Sequence, residues 1–259
     1  MTGNAIFIVF AVINVIVTGI FAGTVLSQYA RRHRVYQLYW SLALTMAFLA
    51  TLAFVFAVVI GPTTASGEGL FRIYYILGGA LTSAWLGLGS LALVASARVT
   101  RISLVILSVL SVVTVVLIAT AGIDMGKLGQ IASNAGSGVL KPGAWVIMIA
   151  VMNTLGVLAV VGVAVFSGWK LMRRRSSAGS LYTSKFLWAN VLIVIGDLFN
   201  GVAGGGLRIF GLEGSFWLIM AVGWTVFFMG VLLASRRAAV TRTAGQVQAS
   251  EVKGGAASV

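Results

Sequence analysis

Long apolar stretches alternate with short polar ones along the whole chain. The apolar stretches predict seven membrane spans, at 4–29, 36–60, 70–95, 102–121, 143–169, 185–205 and 214–234. Each holds about 20 to 27 residues, enough to cross a hydrocarbon core of roughly 30 Å with some tilt. The expected fold is therefore an all-α membrane protein, a seven-transmembrane-helix bundle. The bundle occupies residues 1–237, and a small, polar, disordered cytoplasmic tail is expected at 238–259.

Composition agrees with the pattern. The chain is 59% hydrophobic and only 9% charged, with a mean hydropathy of +1.05, so it has too little charged surface for a water-soluble domain. The net charge of +13 would suggest nucleic acid if the basic residues were gathered on one surface. They instead stand in short runs between spans, as membrane proteins place them to set orientation. Fourteen of the 18 fall on one side, among them Arg31, Arg32, Arg34, Arg98, Arg101, Arg173, Arg174 and Arg175. The other side carries Arg72, Lys127, Lys141 and Arg208. This bias predicts the N-terminus outside and the C-terminus in the cytoplasm of a bacterial inner membrane. No basic residue precedes the first apolar run, so it is expected to be a retained helix rather than a cleaved signal. Anionic head groups are the expected partners of the basic inner loops, with Arg31, Arg32, Arg173, Arg174 and Arg175 foremost, and nucleic acid is not expected.

Cysteine is absent and histidine occurs once, at His33. Thiolate chemistry, cysteine-held metals, paired-histidine haem and multi-histidine metal sites are thereby excluded, and no cofactor is expected. Span seven has no lysine at its middle for a retinal Schiff base, and no phosphate loop occurs. No serine–histidine pair falls on one side of the membrane, because Ser137 is placed outside and His33 inside. Enzymatic activity is not expected.

The chemistry that remains is a polar layer. Asp197 in LWANVLIVIGDLFNGVAGGG is the only acid inside a span. Counted from the outer ends, Asn14, Asn153 and Asp197 all fall roughly 12–15 Å deep. Asn190, Asp197 and Gly204 share a helix face, flanked by Asn200 and Gly201. An ionised acid there costs about 3 kcal/mol or more. Asp197 is thus either neutral or charged beside a partner such as Arg72, Arg208 or a dissolved cation. The functional reading is a proton or cation relay; the structural one is a buried bond to Asn14 or Asn153. Trp85 and Trp224 are deep enough to wall a pocket, whereas the other aromatics suit the interfaces.

Two linkers differ in kind. The external 122–142 loop, rich in glycine and serine, reads as a flexible connector rather than a lid. The internal 170–185 loop is basic. A repeat is also visible: AVIN at Ala11–Asn14 answers AVMN at Ala150–Asn153, and Glu68-Gly69 answers Glu213-Gly214 at the entries to spans three and seven. The arrangement would be three plus one plus three, with parallel triplets and a site between them.

The stretches RRHRVYQLYWSLALTMAFLA and FRIYYILGGALTSAWLGLGSLALVA resemble uncharacterised seven-helix bacterial integral membrane proteins. More loosely, they resemble the seven-helix sensing modules of histidine kinases, although no kinase domain follows span seven in this sequence. The resemblance implies the fold and no ligand residues. The first expected function is a carrier or binding protein for a small solute or ion, with a mid-membrane site at Asp197, Asn14, Asn153, Asn200, Trp85 and Trp224. The alternative is a non-catalytic sensor or accessory subunit that docks a cytoplasmic partner through its basic loops, as a homo-oligomer or with a separate signalling protein.

Overall fold

The computed structural model describes residues 2–173, 180–206 and 213–234. Arg174, Arg175, Arg208 and the 238–259 tail lie outside the described residues. Among those described, the chain is helical and has no strand, only an isolated antiparallel bridge between Ile123 and Leu140.

Local chemistry sets the element ends. Helix α1 (Thr2–Arg32) stops where His33 adopts a left-handed φ of 49°. Helix α2 (Val35–Ile60) stops at Gly61, whose φ of 106° suits a residue without Cβ. Pro62 then bars continuation. Thr64 caps α3 (Ala65–Tyr74) by accepting from the Gly67 N–H at 3.0 Å. α3 runs without a break into a π segment (Tyr75–Leu81) and then α4 (Thr82–Leu91). Ser96 caps α5 (Ala97–Ala119) by accepting from the Val99 N–H. Two single-turn helices, α6 (Met125–Leu128) and α7 (Ile131–Asn134), precede α8 (Ala144–Arg173). α9 (Ser180–Gly201) leads into a second π segment (Val202–Gly206). A short 3-10 turn (Glu213–Ser215) then opens α10 (Phe216–Ala234).

Six helices are long and apolar enough to cross a membrane: α1, α2, α5, α8, α9 with the start of its π segment, and α10. This marks a multi-pass membrane protein. The predicted third span, 70–95, is the composite run from Ala65 to Leu91. It begins and ends earlier than the apolar pattern suggests, because Leu93 and Val94 leave the helix as exposed turn residues.

α2 is central, with 44% of its span window buried, whereas α5 and α8, at 17% each, form the rim. The exposed residues of α5, such as Val105, Ile106, Val109 and Val112, are apolar, as a lipid-facing surface requires. Helices approach closely where side chains vanish. A Cβ on Gly87 would stand 2.8 Å from the Gly156 Cα, and one on Gly156 would meet the Ser83 backbone. The α4–α8 crossing is therefore backbone on backbone.

Two apolar clusters fill the interior. One, at the end of the bundle that carries the 122–142 loop and called outer for that end alone, joins Phe7, Phe54, Phe71, Tyr74, Trp145 and Trp217. The inner one joins Phe21, Trp40, Leu44, Val160, Trp224 and Phe227. The 122–142 loop belongs to the first of these clusters, which corrects its reading as a flexible connector. Leu128, Ile131, Val139 and Leu140 are buried there, and the Tyr74 hydroxyl donates to the Ala135 carbonyl at 2.9 Å. The physical reason is that Leu128, Ile131, Val139 and Leu140 share one apolar surface at that end of the bundle, while Met125 stays exposed. It closes that end as a packed lid.

Candidate functional site

The polar layer forms between the two apolar clusters. On α1, Asn14 and Thr18 lie between Ala11 of the outer cluster and Phe21 of the inner one, and both are fully buried. The Asn14 amide donates to the Thr51 hydroxyl on α2 at 3.1 Å, and Thr51 donates to the Ala47 carbonyl. Ala50, beside Thr51, packs where a Cβ on Gly78 would be, in the first π segment. Gly79 in that segment presents its carbonyl to the Asn153 amide of α8 at 2.9 Å. One layer thus runs from α1 through α2 and the π segment to α8.

Asn153 meets the π segment at its backbone. Widening the helix by one residue per turn shifts carbonyls out of the ordinary ladder. The Leu77 carbonyl accepts from the Thr82 N–H and, at 2.7 Å, from the Thr82 hydroxyl, and the Gly79 carbonyl accepts from Asn153. Ser83 returns a weak bond to the Asn153 carbonyl at 3.4 Å. The sequence displays Gly78-Gly79 as a packing pair; that they widen the helix is not visible in it.

Asp197 belongs to a different level. Gly201 faces Val157 and Gly168 faces Leu187, so α8 and α9 run antiparallel in a fixed register. Asp197 then comes opposite residue 160 or 161, about two turns or roughly 10 Å inward of Asn153. Equal counting from the span ends misses this offset because the outer ends of α8 and α9 are not level. Asp197 lies with the inner cluster, next to Gly196, which packs on Gly223 and Phe227 of α10. Asn200, one turn outward, lies over Gly223. Trp224 is buried beside them and meets Phe21 of α1 edge-on. Asp197 and Asn200 thus lie one turn apart on the helix that packs on α10, Trp224 belongs to the inner cluster with Phe21 and Phe227, and Asn14 and Asn153 form the separate outer layer. Trp85 packs against both apolar clusters and donates its indole N–H to Ser111 of α5 at 3.2 Å.

Electrostatically, Asp197 is 4% exposed and its Oδ2 has no hydrogen-bond partner among the described residues. Arg72 does not supply one. Its guanidinium binds Glu68 at 3.0 Å and donates to the carbonyls of Ile118, Ala119 and Ala121, where it ties α3 to the end of α5. That is the only ion pair among the described residues. The oxygens Asn14 Oδ1, Asn153 Oδ1 and Asn200 Oδ1 are likewise buried without partners. Leaving such an acceptor unpaired costs about 1–3 kcal/mol each. These atoms accept from a proton donor or coordinate a hard cation. No group of three His, Cys, Asp or Glu residues converges among the described residues, so a softer metal has no ligand set there.

The basic end of the bundle, opposite the 122–142 loop, is described in part. Arg31 is exposed, Arg32 half-buried, and Arg173 is exposed with its guanidinium 4.2 Å above the Trp169 ring. None of the three pairs with an acid among the described residues. Comparison with protein-family models, curated proteins and solved structures finds no match to this chain.

Proposed function

We propose that the protein is a membrane carrier or binding protein for a small solute or ion, in which Asp197 takes up and releases a proton or cation. The observation that carries this reading is the buried, unpartnered Asp197 oxygen, one turn from the equally unpartnered Asn200 oxygen. A bundle meant only to be stable would not retain an acid there without a bonding partner. The outer lid and the two-layer interior support an occluded site opened by movement of the helices.

The same proposal includes seven spans, with residues 65–91 as the third, the N-terminus outside and parallel outer triplets. Support comes from the basic bias and from the unbroken helix through Leu91. Asn14 and Asn153, the proposed repeat equivalents, share a layer but bond differently, one to a hydroxyl and one to a backbone carbonyl.

The test is reconstitution of the full chain in liposomes loaded with a pH-sensitive dye, with a potassium diffusion potential imposed. Wild type should move protons, or a cation that exchanges for them, and Asp197→Asn should abolish that flux while melting like wild type. Equal flux from the two proteins refutes the role of Asp197. The second reading, a sensor or accessory subunit, draws on Arg31, Arg32 and Arg173, none of which has an acidic partner among the described residues. It expects a cytoplasmic protein to co-purify and to be released when Arg173 is neutralised.

A further inference from the structure

A cleft of about 550 Å³ opens along the inner half of α1, lined by Ile20, Gly23, Thr24, Ser27, Gln28, Arg31 and Arg32. The outward stripe of this helix is apolar farther up, with Ile6, Val9, Ile13, Ile16 and Ile20 all exposed. At Gly23 it changes character. Gly23 and Ser27 are exposed in its place, and a Cβ added to Gly23 would meet nothing within 4 Å. Neither the Ser27 hydroxyl nor the Gln28 amide has a partner among the described residues, whereas Thr24 is satisfied by the Ile20 carbonyl. Arg31 and Arg32 close the end of the groove without an acidic partner among the described residues.

Here we infer that this cleft binds one anionic phospholipid. The chemistry is graded along the groove as it is along a lipid. Ile20 and the open floor at Gly23 accept the first part of an acyl chain. Ser27 and Gln28 lie at the depth of the glycerol esters and offer donors to them. Arg31 and Arg32 meet the phosphate, where guanidinium geometry and charge both suit a phosphate diester. The volume is in the range of a site for one small ligand. Free phosphate has no use for the apolar end, and a partner helix has no use for two unpaired arginines beside it. The inference rests on α1 crossing the membrane and is independent of Asp197.

The test is native mass spectrometry of the full chain released from mixed phosphatidylglycerol and phosphatidylcholine. Wild type should retain one phosphatidylglycerol that excess inorganic phosphate does not displace. Gly23→Leu fills the cleft without a clash and should lose the lipid. Arg31→Gln should weaken retention by about fivefold, as expected for one interfacial cation. Asp197→Asn should retain the lipid, which separates failure here from failure of the carrier reading. Equal retention of phosphatidylcholine, displacement by phosphate, or undiminished binding to Gly23→Leu would each overturn the inference. So would a wild-type dimer that Gly23→Leu dissolves, since a second copy would then be the occupant.

Discussion

Arg72 gathers three carbonyls at the end of α5 and one carboxylate from its own helix. The carbonyls at a helix C-terminus have no partners within the helix, and a cation there also meets the negative end of the dipole. The pair with Glu68 is half open to solvent, so most of the effect lies in the carbonyl bonds. Arg72→Gln should lower stability by about 2 kcal/mol, because charged bonds to three carbonyls at the end of α5 are lost. Glu68→Gln should cost less than about 1 kcal/mol. Thermal melts in detergent read both, and equal losses would show that the salt bridge dominates. From sequence alone, Arg72 was a candidate partner for Asp197. Only its contacts show that α5 already occupies it, since residues distant in the chain leave no trace in local spacing.

At the scale of elements, the small residues decide which helices touch. Gly156 has the Ser83 backbone where its Cβ would be, and Gly162, two turns along α8, has open space. Gly156→Leu should destabilise by roughly 3 kcal/mol or more, since α4 would have to move as a backbone. Gly162→Leu faces outward and should melt within about 0.5 kcal/mol of wild type. If the two variants behave alike, the α4–α8 crossing is elsewhere. The π segment gives a second case. Asn153→Ala removes the side-chain bond to the Gly79 carbonyl and should cost about 0.5–1.5 kcal/mol. Asn153→Asp keeps a donor only while protonated, so its stability should fall as pH rises. Both asparagines were legible in the sequence as polar residues in apolar helices. Their partners were not, because one bonds a hydroxyl and the other a displaced backbone carbonyl.

For the whole molecule, seven crossings require residues 65–91 to pass through the bilayer. The chain has no cysteine, so single substitutions report sidedness without background. Thr63 and Val94 are exposed and flank this run. Thr63→Cys should react with an impermeant maleimide on intact cells, and Val94→Cys only after permeabilisation. Labelling of both from one side would make the run re-entrant and leave six spans.

The sequence by itself determined the class, the approximate helix limits, and the burial of Asn14 and Asp197. These follow from local properties: apolar length, helix-stopping residues such as Gly61 and Pro62, and the cost of polar groups in hydrocarbon. The tertiary structure alone decided three further matters. It tucked the 122–142 loop under the outer end, where Leu128, Ile131 and Val139 found a common apolar surface. It widened the helix at Gly78-Gly79 and gave Asn153 a carbonyl to satisfy. It also set the α8–α9 register through Gly201 and Gly168, which moved Asp197 inward of the asparagines. Each of these depends on how far one helix slides along another, and that is fixed by contacts between distant residues rather than by any spacing within a span.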